Sequence, residues 1–257
     1  EAGTTGLQIA DRLRGRSDLE LISIDPEKRK DNDERARLMN MADAVILCLP
    51  DEAARLGVSL GTSHNTVVID ASSAHRTASG WTYGFPEMDK TQRAALRACR
   101  RISNPGCYPT GMIALMRPLT GAGLVPASLP VTVSAVSGYS GGGKAMIAEF
   151  EGGGTLTQKH KHLPEMKRYG RLDHTPMFLP SVGRFAQGML TQIALPLWAL
   201  PGKPGRADLH AALANAYEGE AFVKVPSLAE CDALTGLEPE ACNGTNRLEL
   251  FVFGSDE

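Results

Sequence analysis

Ala44-Val45-Ile46-Leu47-Cys48-Leu49 is an unbroken apolar run. A strand with one face in water alternates apolar and polar side chains, whereas a parallel strand covered on both faces is apolar throughout. Thr66-Val67-Val68-Ile69-Asp70 is a second such run, and Leu19 to Ile24 reads as a strand ahead of both. Between the two runs, Glu52 to Leu56 carries helical spacing. Strand alternating with helix predicts an α/β fold built on a parallel, doubly wound Rossmann-type sheet.

Ligands of such sheets gather beyond the C-terminal ends of the strands. Ser72, Ser73 and Arg76 follow the run that ends at Asp70. A guanidinium there can hold a phosphate through two parallel hydrogen bonds. Asp25 and Arg29 follow the segment 19–24, where a dinucleotide fold meets the adenosine ribose. An acid at that point favours NAD and a base favours the extra phosphate of NADP, so these two pull in opposite directions. At the start of the chain, Gly3-Thr4-Thr5-Gly6 leads into an amphipathic helix through Leu13. Glycines before a helix let backbone N–H groups hold a pyrophosphate, although two glycines alone also fit a plain helix start.

Beyond residue 103 the pattern changes. Residues 130–136 and 190–197 read as strands, 207–217 as a helix and 247–253 as an alternating strand. This predicts a second α+β domain with a mixed sheet, giving a dinucleotide-binding domain at 1–103 and a catalytic domain at 104–257. A chain of 257 residues can bury a core in each.

The chemistry is concentrated in two stretches of the second half. In Ser103-Asn104-Pro105-Gly106-Cys107-Tyr108-Pro109-Thr110-Gly111, turn residues precede a helical body. Pro109 fits only a first helical turn, so Cys107 is expected at a helix N-terminus, whose partial positive charge favours a nucleophilic thiolate. In His160-Lys161-His162-Leu163-Pro164-Glu165, an imidazole can exchange protons near neutral pH and Glu165 can orient it. On an extended segment the two histidines would face opposite sides, so that only one reaches Cys107. A metal reading of His-x-His lacks a third ligand at suitable spacing. Ser137-Gly138, after the strand at 130–136, is a turn in which glycine permits close backbone approach to a ligand.

Net charge is −2 without a long basic run, which argues against nucleic acid or an anionic membrane as partner. No apolar run approaches the ~20 residues of a membrane span. Five cysteines, at spacings that fit neither a disulfide framework nor a zinc ribbon, point to a reducing cytoplasm.

The stretch 103–111 resembles the nucleophile motif of the N-acetyl-gamma-glutamyl-phosphate reductases of the semialdehyde dehydrogenase superfamily. The likeness extends over nearly the whole chain and is closest to the family's short form. It includes Asp-x-Ser-x-x-x-Arg at 70–76, the serine–glycine turn at Ser137-Gly138, and His-x-His-x-Pro-Glu at 160–165. The resemblance implies NADPH-dependent reduction of an acyl phosphate, N-acetyl-glutamyl 5-phosphate, to its semialdehyde in arginine biosynthesis. It places Cys107, His160 (rather than His162) and Glu165 in catalysis, and Arg76, Asn104, Ser137 and Gly138 on the substrate. Gly3, Thr4, Thr5, Gly6, Arg29, Ser72 and Ser73 fall to NADP. It implies a homo-oligomer, a dimer or tetramer, and no metal. A glycine-bearing first strand and a last helix are expected outside the chain, whose two ends read as cuts through a longer protein. Aspartate-semialdehyde dehydrogenase shares this chemistry, and a non-catalytic relative that binds without turnover is the rival of another class.

Overall fold

The structure, a computed structural model, describes residues 4–142 and 158–255. The chain forms two compact units, one of Glu1–Pro86 with Thr91–Pro105 and one of Glu87–Lys90 with Gly106–Glu257.

In the first unit the order is α1 (Thr4–Leu13), α2 (Asn32–Met41), β1 (Ala44–Leu47), α3 (Asp51–Leu60), β2 (Val67–Asp70), β3 (Thr82–Tyr83), α4 (Gln92–Ala98) and β4 (Arg101–Ser103). Helix starts follow local chemistry. Asp31 caps α2 by accepting from the N–H groups of Asp33 and Glu34. Asp51 and Glu52 place negative charge in the first turn of α3. The sheet runs β1-β2-β4-β3 with every pairing parallel, and β1 sets Ala44 opposite Val67.

Two expectations fail here. Residues 19–24 form no strand, and Leu19, Leu21 and Ile22 are exposed. A strand exists only as a hydrogen-bonded ladder, and no described segment pairs with this one, whatever its propensity. Nor is β1 covered on both faces: Ile46 remains 39% exposed, and only Leu47 of the strand is buried.

The second unit contains α5 (Cys107–Gly121), β5 (Thr132–Gly138), α6 (Leu163–Tyr169), β6 (Met177–Gly183), β7 (Met189–Ile193), α7 (Arg206–Ala216), β8 (Val223–Lys224), α8 (Leu228–Asp232) and β9 (Leu248–Glu249). Its main sheet has the order β6-β5-β7 and is mixed: β5 is parallel to β6 and antiparallel to β7. β8 and β9 form a separate parallel pair, shorter than the alternation over 247–253 implies. β7 stops at Ile193, and Pro196, which has no N–H for a ladder, leads into a 3₁₀ turn at Leu197–Ala199. Met112, Ile113 and Met116 of α5 are fully buried, as are Val133, Met166, Phe178 and Leu213. Each such side chain contributes about 1.5–3 kcal/mol on burial. This core fixes α5, and with it the position of Cys107.

Candidate active site

Cys107 is the first residue of α5 and is exposed. Gly106, in extended backbone, caps the helix; its carbonyl accepts from both the N–H and the hydroxyl of Thr110, at 3.0 and 2.9 Å. First-turn amides have no intrahelical acceptor, and Pro109 has no N–H at all. The amides that α5 can present to an anion are therefore those of Cys107 and Tyr108.

Glu165, on α6, is 1% exposed, and its Oε2 accepts from the Gly106 N–H at 3.1 Å. This hydrogen bond goes to the backbone beside the nucleophile. It ties α6 to the loop that aims Cys107.

The two histidines do not lie on an extended segment. Residues 158–162 form turns leading into α6, so both rings fall on one side, 4.6 Å apart between centroids. The expectation that they face opposite ways is overturned by this turn. The His162 N–H donates to His160 Nδ1 at 3.2 Å, which selects the neutral tautomer of His160 with its proton on Nε2. His162 is buried, whereas His160 is partly exposed. Tyr108 meets both rings edge-on, at 6.1 Å and 5.8 Å, and Phe178 packs against Tyr108 and His160 at 5.0 and 5.1 Å.

Tyr108 is a site residue that sequence reasoning passed over. Its hydroxyl pairs with Ser137 Oγ at 2.8 Å, joining α5 to the end of β5. Burial pushes its phenol upward; the Ser137 bond works against that shift and Cys107 adds to it, so the hydroxyl stays protonated at neutral pH. Its sequence signal was its place directly after the cysteine.

Gly138 is needed for a close approach, but by the protein's own chain. A Cβ there would lie 2.6 Å from the Ala186 carbonyl oxygen. Gly138, Tyr139 and Ser140 donate their N–H groups to Gly188, Phe185 and Ala186. The loop 185–188 thus closes over Ser137-Gly138, and Arg184 beside it is exposed. A cavity of about 1480 Å³ in this unit is lined by Cys107, Ser137, Gly138, Gln187 and Asn243 among others.

In the first unit Ser72, Ser73 and Arg76 follow the C-terminal end of β2, and Asn104 that of β4. Asp70 is fully buried: it accepts from the Ser72 N–H (3.0 Å) and hydroxyl (2.7 Å) and contacts His75 Nδ1 at 2.6 Å. His75 stacks on Trp81 with centroids 4.2 Å apart. Ser73 donates its N–H and hydroxyl to Asp51 at the start of α3. Arg76, 8% exposed, donates to the carbonyls of Asn104 (3.0 Å) and Ala71 (3.3 Å), and the Asn104 N–H donates to Asp70 O. Thr4, Thr5 and Gly6 open α1, Gly3 lies outside the described residues, and Arg29 lies in an exposed turn. Among the described residues no group of His, Cys, Asp and Glu could hold a metal, and no helix is long and apolar enough to cross a membrane.

A parallel nucleotide-type sheet, followed by a cysteine at a helix N-terminus whose neighbour Tyr108 packs on paired histidines, defines a class. The chain belongs to the semialdehyde dehydrogenase family: residues 3–96 match its NAD binding domain and 107–257 its dimerisation domain. Within it, the chain is 50% identical over 274 residues to N-acetyl-gamma-glutamyl-phosphate reductase 2 of Nostoc sp., a match covering 100% of this chain and 85% of that protein. Solved structures share the fold. Aspartate semialdehyde dehydrogenase from Francisella tularensis aligns with a TM-score of 0.58 at 14% identity, over 97% of this chain and 87% of that one. The same enzyme from Candida albicans, solved with NADP, aligns at 0.53 and 13% identity, over 87% of this chain and 72% of that one.

Proposed function

We propose that this chain carries out the NADPH-dependent reduction of N-acetyl-glutamyl 5-phosphate to N-acetyl-glutamate 5-semialdehyde, a step of arginine biosynthesis in the cytoplasm, as a homo-oligomer. The observation that carries the reading is Cys107, exposed at the start of α5, with its loop held by Glu165 and a histidine pair packed on the adjacent Tyr108. Half identity to a named reductase supports the acetylated substrate, and the dimerisation-domain match supports self-association.

In this reading the Cys107 thiolate attacks the acyl carbon. A C–S bond forms, the C–O bond to phosphate breaks, and phosphate leaves; Arg76 and Asn104 are assigned to the substrate. NADPH, when bound, supplies the hydride that reduces the resulting thioester. The Cys107 and Tyr108 amides steady the oxyanion so formed, and His160 Nε2–H lends it a proton. That proton returns as the C=O re-forms and the thiolate leaves. Ser137 and Gly138 line the space around the reacting carbon. The residues present fit the cofactor: the first turn of α1, from Thr4 to Gly6, suits a pyrophosphate, and Ser72 and Ser73 lie beyond strand ends. Arg29, in the exposed turn that follows residues 19–24, is assigned to the 2′-phosphate.

The test is phosphate-dependent reduction of NADP by N-acetyl-glutamate semialdehyde. Cys107→Ser should remove turnover by about 10⁴-fold or more and leave the melting temperature unchanged, because the side chain is exposed. A variant with wild-type turnover, or iodoacetamide labelling that favours another cysteine in the active protein, would sink the reading.

A further inference from the structure

We propose that the turn 242–247 recognises the end of the substrate remote from the reacting carbon, with Arg247 taking its carboxylate; this rests on the function proposed above. The cavity that holds Cys107 has a volume of about 1480 Å³, far more than an acyl phosphate group fills. Much of its lining comes from residues between 237 and 255.

Packing makes that lining continuous with the reacting end. Gly111, one turn along α5 from Cys107, lies so close to β7 that a Cβ would sit 3.0 Å from Thr191 Oγ1. At the start of β7, the Met189 N–H donates to Pro239 O at 3.1 Å. Gly188, at φ +118°, leaves room for Pro239, whose oxygen would be 2.3 Å from a Cβ there. Asn243 Nδ2 donates to Gln187 O at 3.1 Å, and Gly188 O accepts from Gly138. The segment 239–243 is thus stapled to the loop that closes over Ser137-Gly138.

The turn itself is fixed from within. Thr245 donates its N–H (3.2 Å) and hydroxyl (2.7 Å) to Cys242 O, and its Oγ1 accepts from the Arg247 N–H at 3.1 Å. Three cations on the cavity wall then differ in what they already hold. Arg206 pairs with Asp232 at 2.6 Å and Lys224 with Glu230 at 3.8 Å, whereas Arg247 has no ion-pair partner among the described residues. A planar guanidinium matches a carboxylate with two parallel hydrogen bonds.

The experiment compares two aldehydes: N-acetyl-glutamate semialdehyde and 4-acetamidobutanal, the same molecule without its carboxylate. Arg247→Ala should lose about 10- to 100-fold in kcat/KM on the first, keep the wild-type rate on the second, and leave the KM for phosphate unchanged. Binding of N-acetyl-glutamate, read by calorimetry, should weaken in parallel, and a thermal melt checks folding. Equal losses on both aldehydes, or no loss on either, would overturn the assignment of Arg247 while the function stood. A wild-type protein inactive on both aldehydes would overturn the function and this assignment together.

Discussion

In β1, Ile46 is 39% exposed and only Leu47 is buried; in β5, Val133 is fully buried and the residues on either side of it are at least half-buried. The two units are held by different means. In the second, α5 lies on a mixed sheet, and apolar contact fixes the chemistry-bearing residues. In the first, the strands are short, and the order at their ligand-binding ends is polar: Asp70 with Ser72 and His75, Ser73 with Asp51, Arg76 with Asn104. Packing places the proposed catalytic group, whereas hydrogen bonds place the proposed binding loops. Substitutions should therefore act differently in the two regions.

The largest effect is expected on chemistry alone. His160→Asn removes a partly exposed ring whose Nδ1 is held by the His162 N–H, so the fold should persist while kcat falls by about 10²–10⁴. His162→Asn alters a buried ring between α5 and α6, and should lower stability more than its sibling does. Rates and melting temperatures of the two variants, measured side by side, check this. A mild His160→Asn beside an inactive, fully stable His162→Asn would reverse the roles.

Next is the polar network of the first unit. Asp70→Ala leaves the Ser72 N–H, the Ser72 hydroxyl and His75 Nδ1 without their shared buried acceptor. Leaving a buried donor without its acceptor costs about 1–3 kcal/mol. Amide exchange should speed up over 67–76 and stay slow over 132–138. Uniform loss of protection across both units would show that the difference between them is not one of stability.

The apolar runs exposed the parallel sheet to sequence reading because burial on both faces leaves a compositional trace, and Thr66 to Asp70 kept that trace in β2. Residues 19–24 read as a strand, with Leu19, Leu21, Ile22 and Ile24 around Glu20 and Ser23, but lack the partner that makes one. The start of α5 was legible because Asn104-Pro105-Gly106 and Pro109 act locally. The bond from Gly106 to Glu165 and the pairing of Tyr108 with Ser137 were not, since they join residues 59 and 29 positions apart. The histidine pair misled for a different reason. Pro164, tolerated at the second position of α6, marks a helix start, and a chain entering a helix turns before it. That signal was local but was outweighed by the alternation of His160 and His162.

The smallest effect tests how apolar packing survives a flaw inside α5. Pro118 lies within the helix and has no N–H to give the Ala114 carbonyl four residues earlier. Ala114 is fully buried, so that oxygen would be orphaned. Tyr217, at the end of α7, donates its hydroxyl to it at 2.8 Å. Tyr217→Phe should cost about 1–3 kcal/mol, the penalty of an unsatisfied buried acceptor. Pro118→Ala should recover part of that loss by restoring the helical donor, provided the two effects are coupled. Burial also raises the Tyr217 phenol well above its usual value of about 10. Below that value the hydroxyl is protonated in both folded and unfolded chains, and its stabilising contribution is fully present. As pH rises through and beyond it, the unfolded chain loses a proton that the folded one keeps, and stability falls. Denaturant melts between about pH 10 and 12 should therefore show a steeper alkaline loss for the wild type than for Tyr217→Phe. Parallel curves would mean that the hydroxyl is solvated in the native protein and that the Pro118 gap is satisfied by other means.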